Sequence, residues 1–138
     1  MLPADRETLF VLHTAAMRGY VEATWGPWDD CFQRNYFSAL LDRGLAQVVE
    51  VGGEITGFLE VRDSAEQVEV VNIELAPALH SGGLGTQILT DTIATADGRP
   101  IALQVLKVNP ARRLYERLGF VEIRTTETHF LMRRPASG

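Results

Sequence analysis

The chain has few of the features that mark secreted, membrane or nucleic-acid-binding proteins. Cys31 is the single cysteine, so no disulfide can form within the chain. The N-terminus, MLPADRETLF, lacks the basic start and apolar segment of a signal peptide, and no apolar run approaches the roughly 20 residues of a transmembrane helix. A net charge of −5 argues against the clustered positive charge that holds a nucleic-acid backbone. We therefore predict a cytoplasmic protein without a nucleic-acid or membrane partner.

The composition and pattern indicate one globular domain over residues 1–138. Hydrophobic residues make up 46% of the chain and charged residues 22%, and no linker or repeat interrupts the sequence. Two amphipathic helices are predicted first, in ADRETLFVLHTAAM and in GPWDDCFQRNYFSALLDRG, with Pro27 in the first turn of the second helix and Gly44 at its end. Strands follow in LAQVVEV, EITGFLEVR and QVEVVNIELA, and Gly52-Gly53 joins the first two as a hairpin.

The second half of the chain alternates between helix and strand. A helix is predicted after the glycines of HSGGLGTQIL and ends near Asp97-Gly98, and PIALQVLKV is the next strand. A short helix lies in NPARRLYERLG, with Asn109 as its N-cap and Pro110 in its first turn, before the strands FVEIR and THFLMRR. This order predicts an α+β fold.

The loop HSGGLGTQIL places three glycines and Thr86 where a strand gives way to a helix. The first N–H groups of a helix have no partner within it, and glycines let an anion approach them closely, so the loop suits a phosphate or pyrophosphate. A flexible turn explains such a loop equally well. Thr86-Gln87 follow Gly85 where a P-loop needs Lys and then Ser or Thr, and the dinucleotide fingerprint is out of register.

Two segments of the sequence resemble the signature motifs of the GNAT superfamily of N-acetyltransferases. IELAPALHSGGLGTQIL is similar to the family's strand and pyrophosphate loop, and LQVLKVNPARRLYERLGF to its following strand and helix. The resemblance implies a three-layer fold with a mixed central sheet, a splay between the fourth and fifth strands, and helices on both faces. Only MLPA precedes the first helix, so the family's first strand would be very short.

The resemblance also implies acetyl-CoA as the acyl donor. The backbone of Leu75 and Ala76 would pair with the pantetheine arm, Asn109 would hydrogen-bond to it, and Tyr115 would lie near the thioester sulfur. The remaining cofactor residues are those of the loop, namely His80, Ser81, Gly82, Gly83, Leu84, Gly85 and Thr86. His80 replaces the usual Gln or Arg, and a neutral imidazole offers one donor, which predicts weaker or pH-dependent affinity.

Acetyl transfer to an amine requires a group that removes the amine proton and one that stabilises the leaving thiolate. Glu74 and Glu69, on the strand before the loop, are the candidate bases, although a glutamate on a strand is often just solvated. Tyr115 is the candidate donor to the thiolate, and its ring can also pack on the sheet. Cys31 lies far from both motifs, which favours direct attack by the amine in a ternary complex.

The acceptor site is predicted between the first two helices, in YVEATWGPWDD. Trp25, Trp28 and Asp29 could hold a cationic amine, and Asn72 shares the strand face of Glu74. Core packing explains the tryptophans and helix capping explains the aspartate equally well. We expect a small-molecule or peptide amine as acceptor and no metal; the sequence leaves a homodimer open. The alternative function is a non-catalytic acyl-CoA-binding or regulatory module.

Overall fold

The computed structural model describes residues 3–80 and 82–137. In this part of the chain, four α-helices, six strands and one 3₁₀ turn follow each other along the sequence. They are α1 (Pro3–Trp25), α2 (Asp30–Asp42), β1 (Ala46–Val51), β2 (Glu54–Asp63), β3 (Val68–Leu75), the 3₁₀ turn Pro77–Leu79, α3 (Leu84–Ala96), β4 (Ile101–Leu106), α4 (Arg112–Arg117), β5 (Val121–Thr125) and β6 (His129–Arg134). None of the helices in these residues has both the length and the apolar content to cross a membrane.

The six strands form one mixed sheet in the order β1-β2-β3-β4-β6-β5. β1 pairs antiparallel with β2, and β6 pairs antiparallel with both β4 and β5. β3 and β4 are parallel, and their register joins Val68–Val70 to Ile101–Leu103. The sheet and four helices confirm the predicted α+β class. The fourth and fifth strands of the prediction, which counted a first strand over MLPA, are β3 and β4 here.

The chain divides into two compact units. The first holds the described chain up to Glu60 together with Asn72–His80, and the second holds Val61–Val71 and the described residues after His80. In the first unit, α1, α2 and β2 share a core of buried side chains, which are Leu9, Phe10, Phe37, Leu40, Leu41 and Phe58. In the second unit, the largest fully buried side chains are Leu89, Ile101, Phe120, Met132 and Val68. That residues 1–138 form one domain stays a prediction.

The turns predicted from glycine lie where the sequence indicates them. Gly52 and Gly53 have φ angles of 61° and 84°, the left-handed values that a tight two-residue hairpin requires. α3 begins at Leu84 and ends at Ala96, and Asp97 and Gly98, both with positive φ, stop it as predicted.

Several helix boundaries differ from the predictions. α1 continues beyond the predicted segment to Trp25 and stops before Gly26, whose φ of 101° departs from the helical conformation. Pro27 lies outside α2, since Asp29 is the N-cap. α4 begins at Arg112 rather than after Asn109. The short first strand expected over MLPA is wrong at Pro3 and Ala4, which belong to α1, and Met1 and Leu2 lie outside the described residues.

Candidate active site

The N-terminus of α3 presents backbone donors behind a left-handed glycine. Gly83 is the N-cap, with φ 81° and ψ −1°, and its carbonyl accepts the first intrahelical bond, from the N–H of Gln87 at 3.0 Å. The N–H groups of Leu84, Gly85 and Thr86 precede that bond, so they have no partner within the helix. An anion placed at this end would meet these donors and the positive end of the helix dipole. Gly82 precedes them in a turn, and Ser81 lies outside the described residues.

His80 supports the end of β3. Its Nε2 lies 2.8 Å from the carbonyl oxygen of Leu75, the geometry of an N–H donated to the backbone. A neutral imidazole has one N–H, so in that form the ring has no second proton for a phosphate. The weaker or pH-dependent affinity predicted from the sequence stays a prediction.

The backbone of Leu75 and Ala76, the predicted partner of the pantetheine arm, is already engaged in the first unit. The Ala76 N–H donates to the carbonyl of Thr56 at 2.8 Å, and the Ala76 carbonyl accepts from Leu79 at 2.8 Å. The Leu75 carbonyl accepts from His80. Carbonyl oxygens can accept a second bond, whereas the Ala76 N–H has no further proton to give. Any strand-like pairing at Ala76 therefore has to use its oxygen.

Asn109 precedes α4, and Tyr115 lies within that helix. The side-chain oxygen of Asn109 accepts from the N–H of Ala111 at 2.9 Å, which closes a turn directly before α4. The side-chain nitrogen of Asn109 is left as a donor. Tyr115 is 6% exposed, and its ring centroid lies 5.9 Å from that of Phe120. Burial raises the pKa of Tyr115 to about 12. Among the described residues its hydroxyl has no hydrogen-bond partner, so it can donate to a ligand.

Glu74 is a buried carboxylate with a histidine partner. Its Oε1 lies 2.7 Å from Nδ1 of His13 on α1, and Nε2 of that ring lies 3.2 Å from Oε1 of Gln33 on α2. His13 was not identified as a site residue from the sequence, although Leu9, His13 and Ala16 follow the helical period and mark His13 as part of the buried face. Glu69, the other candidate base, is half-buried in the second unit, opposite Ala102 in the β3–β4 register.

A second buried carboxylate, also missed from the sequence, lies in the first unit. Glu60 is fully buried, and the guanidinium of Arg43 holds it with two hydrogen bonds of 2.8 and 2.9 Å. The side-chain amide of Asn72 donates to the same carboxylate at 2.8 Å. Asn72, predicted to contact the acceptor, is therefore also a structural partner of Glu60.

The structure gives different surroundings to the other predicted acceptor residues. Trp25 is 60% exposed at the end of α1. Trp28 is half-buried, packs against the core of the first unit, and its ring centroid lies 5.7 Å from that of His13. The indole N–H of Trp28 is buried without a hydrogen-bond partner in the described residues. Asp29 accepts the N–H of Phe32 at 2.9 Å, which is the capping role that the sequence left open.

Tyr36 on α2 belongs with these residues although the sequence did not single it out. About half of its surface is exposed. Partial burial raises the pKa of its phenol and the negative charge of Glu74 raises it further, which indicates that the hydroxyl lies within electrostatic reach of that carboxylate. The positive charge of Arg43 lowers the pKa of Tyr36.

The sequence matches a family model and is similar to a described relative. Residues 42–122 match the model of the acetyltransferase (GNAT) domain. A relative described as 5-NmdU N-acetyltransferase, from Pseudomonas phage PaMx11, is 36% identical over 85 residues, which are 59% of this chain and 61% of the relative. The chain thus matches about three fifths of that relative's length.

Two solved structures show the same fold at low sequence identity. The PaiA N-acetyltransferase of Thermoplasma acidophilum, in complex with coenzyme A, has a TM-score of 0.74 and 18% identity, with 96% of this chain and 93% of that chain covered. The ribosomal-protein-S18-alanine N-acetyltransferase of Escherichia coli has a TM-score of 0.70 and 20% identity, with 100% and 92% covered. The family match over more than half of the sequence, with this agreement in fold, shows that the chain belongs to the GNAT acetyltransferase family.

Proposed function

We propose that the chain transfers the acetyl group of acetyl-CoA to an amine by direct attack in a ternary complex. The observation that carries the proposal is the N-terminus of α3, where three backbone N–H groups without helical partners follow the left-handed Gly83. Family membership and the coenzyme A complex of the PaiA relative support acetyl-CoA as the donor.

The residues present fit this donor. The N–H groups of Leu84, Gly85 and Thr86 would bind its pyrophosphate, and the amide nitrogen of Asn109 would donate to the pantetheine arm. When bound, acetyl-CoA supplies an acetyl group activated as a thioester. Gly83 keeps the approach to these donors open, since no described residue lies within 4 Å of the position that its Cβ would occupy.

Glu74 is the proposed base. An alkyl amine with a pKa of about 10.4 is mostly protonated at neutral pH, and only the neutral amine attacks a carbonyl carbon. The Glu74 carboxylate, 9% exposed and held by His13, would take the proton directly or through a water. Glu69 stays the alternative base.

Tyr115 is the proposed donor to the leaving sulfur. With a pKa of about 12, its phenol stays protonated throughout the pH range in which the enzyme would work. A thiol with a pKa near 8.5 is the stronger acid, so complete proton transfer from Tyr115 would be unfavourable. The hydroxyl therefore acts by donating a hydrogen bond that stabilises the developing thiolate.

The acceptor is proposed to be a small-molecule or peptide amine, held by Trp25, Asp29 and Asn72. A second candidate is 5-NmdU, because the phage relative carries that acceptor in its description. The cytoplasmic location and the homodimer stay predictions.

Release of free thiol from acetyl-CoA tests the proposal. The purified chain is offered lysine peptides, polyamines, aminoglycosides and 5-NmdU, and product masses identify the acetylated amine. An amine-dependent thiol release above the hydrolysis rate supports the enzyme. Coenzyme A binding by calorimetry without release for any amine favours the non-catalytic module, and absence of binding contradicts both.

A further inference from the structure

His13 is a buried histidine with an oxygen atom at each ring nitrogen. It is 4% exposed, and its partners Glu74 and Gln33 are each 9% exposed. The three residues come from α1, β3 and α2, all within the first unit. A histidine that serves only to fill a core has no need of a carboxylate partner, and burying a carboxylate costs free energy unless it is paired.

Aromatic side chains fix the orientation of the His13 ring. The ring stacks on Phe37, with centroids 4.7 Å apart and planes at 25°, and it also contacts Trp28 and Phe10 at 5.7 and 6.1 Å. Rotation of the ring would break the bonds to Glu74 and Gln33 and would meet these neighbours. The Glu74 carboxylate is consequently held by a partner that cannot swing away.

The surroundings favour the charged form of the ring. With Oε1 of Gln33 and the carboxylate of Glu74 as acceptors, both ring nitrogens donate only in the imidazolium. Desolvation lowers the pKa of His13, but the hydrogen bond and charge of Glu74, together with Gln33, outweigh it and raise the pKa above 6.5.

Other charged and titratable groups lie near this pair. On α2, Tyr36 is within electrostatic reach of Glu74, and the guanidinium of Arg34 lies over the Phe10 ring at 4.3 Å. Arg43 pairs with Glu60, and His13 is in direct contact with Glu74.

We propose that His13 is a positioning residue that keeps Glu74 ionised and correctly oriented to accept the proton of the acceptor amine. The inference rests on the proposed function. In the step, the ammonium form of the acceptor gives one proton to the Glu74 carboxylate, and the freed lone pair forms the C–N bond at the acetyl carbon. The C–S bond breaks with its electron pair on sulfur, the second N–H proton passes to that thiolate so that coenzyme A leaves as a thiol, and Glu74 returns its proton to the solvent. His13 remains protonated throughout. Its positive charge lies in hydrogen-bond contact with the buried carboxylate, a pairing that a neutral partner would not supply.

The variant His13→Gln tests this role because glutamine can donate to Glu74 but carries no charge. We expect the acid limb of the kcat profile, where the carboxylate takes up a proton, to move at least one pH unit upward, with the Kd for coenzyme A within twofold of wild type. His129→Gln removes a histidine outside the proposed site and leaves the profile unchanged. Superimposable profiles for His13→Gln and wild type would overturn the proposal.

Titration of the histidine side chains by NMR provides a test that needs neither activity nor the His13 variant. The chain has three histidines. We expect His13 to titrate above pH 6.5 and Glu74→Gln to move its midpoint downward, while His129, whose pKa burial lowers, is unaffected. A His13 midpoint that Glu74→Gln leaves in place would overturn the inference. Failure of thiol release with every amine, alongside the expected titration, would contradict the proposed function while the His13–Glu74 pairing stood.

Discussion

Gly57 on β2 lies so close to the backbone carbonyl of Glu74 on β3 that a side chain has no room between them. An added Cβ would overlap the Glu74 oxygen and crowd the Cα of Leu75. Both partners are backbone atoms, which cannot move aside as the end of a flexible side chain can. The identity of residue 57 therefore controls the position of the proposed base.

Gly57→Ala is expected to displace the end of β3. We predict a loss of stability of about 1–3 kcal/mol, in the range for overpacking a well-packed site, and a lower kcat because Glu74 moves relative to His13. Thermal unfolding and thiol-release kinetics measure the two effects.

Gly19→Ala is the matched control for this substitution. Gly19 lies within α1, and nothing in the described residues is within 4 Å of its Cβ position. Alanine favours the helix by about 0.5–1 kcal/mol, so the control is expected to raise the melting temperature and leave kcat unchanged. Equal stability and activity of Gly57→Ala and wild type would contradict the close approach at Glu74.

Gly83→Val is expected to weaken coenzyme A binding by at least tenfold. The cause is conformational, because a φ of 81° is unfavourable for a β-branched residue and the N-terminus of α3 would have to rearrange. Calorimetric titration gives the affinity. Gly44→Ala has the same kind of strain, with φ 76°, after α2, so it is expected to lower stability without changing the affinity. Equal affinities for both variants would exclude the loop as the pyrophosphate site.

Tyr115→Phe is expected to lower kcat by about 10²-fold, the lower end of the range for removing one hydrogen-bond donor to developing negative charge, with little change in coenzyme A affinity. Because the pKa of Tyr115 is about 12, we expect no decrease of the wild-type rate up to pH 10 from loss of this proton. Steady-state kinetics between pH 6 and 10 test both statements. Wild-type turnover in the variant would leave the ring with its packing role beside Phe120.

The His13–Glu74 pair is expected to make stability depend on pH above neutrality. The pKa of His13 is raised on folding, so its contribution is complete below pH 6.5 and is lost as pH rises through the folded-state value. Urea unfolding between pH 6 and 9 should therefore show falling stability in wild type. Glu74→Gln should remove most of this slope, and an unchanged slope would show that another group causes it.

The features that were predictable from the sequence are those that local chemistry determines. Gly52-Gly53, Asp97-Gly98 and Gly44 each require a backbone conformation that few other residues adopt, so they mark turns and helix ends wherever they fold. The helix that begins at Leu84 follows Gly83 directly and ends before Asp97-Gly98. Both of its ends were therefore predicted correctly.

The polar contacts of the first unit were not predictable in the same way. His13 and Glu74 are 61 positions apart in the sequence, and Arg43 and Glu60 belong to different elements. Their pairing depends on how α1 and α2 pack on the strands, which no local pattern encodes. Residue type indicated such a contact only at His13, where a polar ring interrupts an otherwise apolar helix face.

The acceptor residues at the junction of α1 and α2 give the last prediction. Asn is as good a helix N-cap as Asp, so Asp29→Asn keeps the bond to Phe32 and removes only the charge. Trp25 is 60% exposed, so Trp25→Ala is expected to change the melting temperature little. If both side chains hold a cationic amine, each variant should raise the KM for the amine more than it lowers kcat, because the contact exists in the ground state and the transition state alike. Kinetics for both variants at unchanged stability measure this effect. Unchanged KM values would mean that Asp29 serves α2 alone and that the amine is recognised by other residues, with the half-exposed Tyr36 as the next to test.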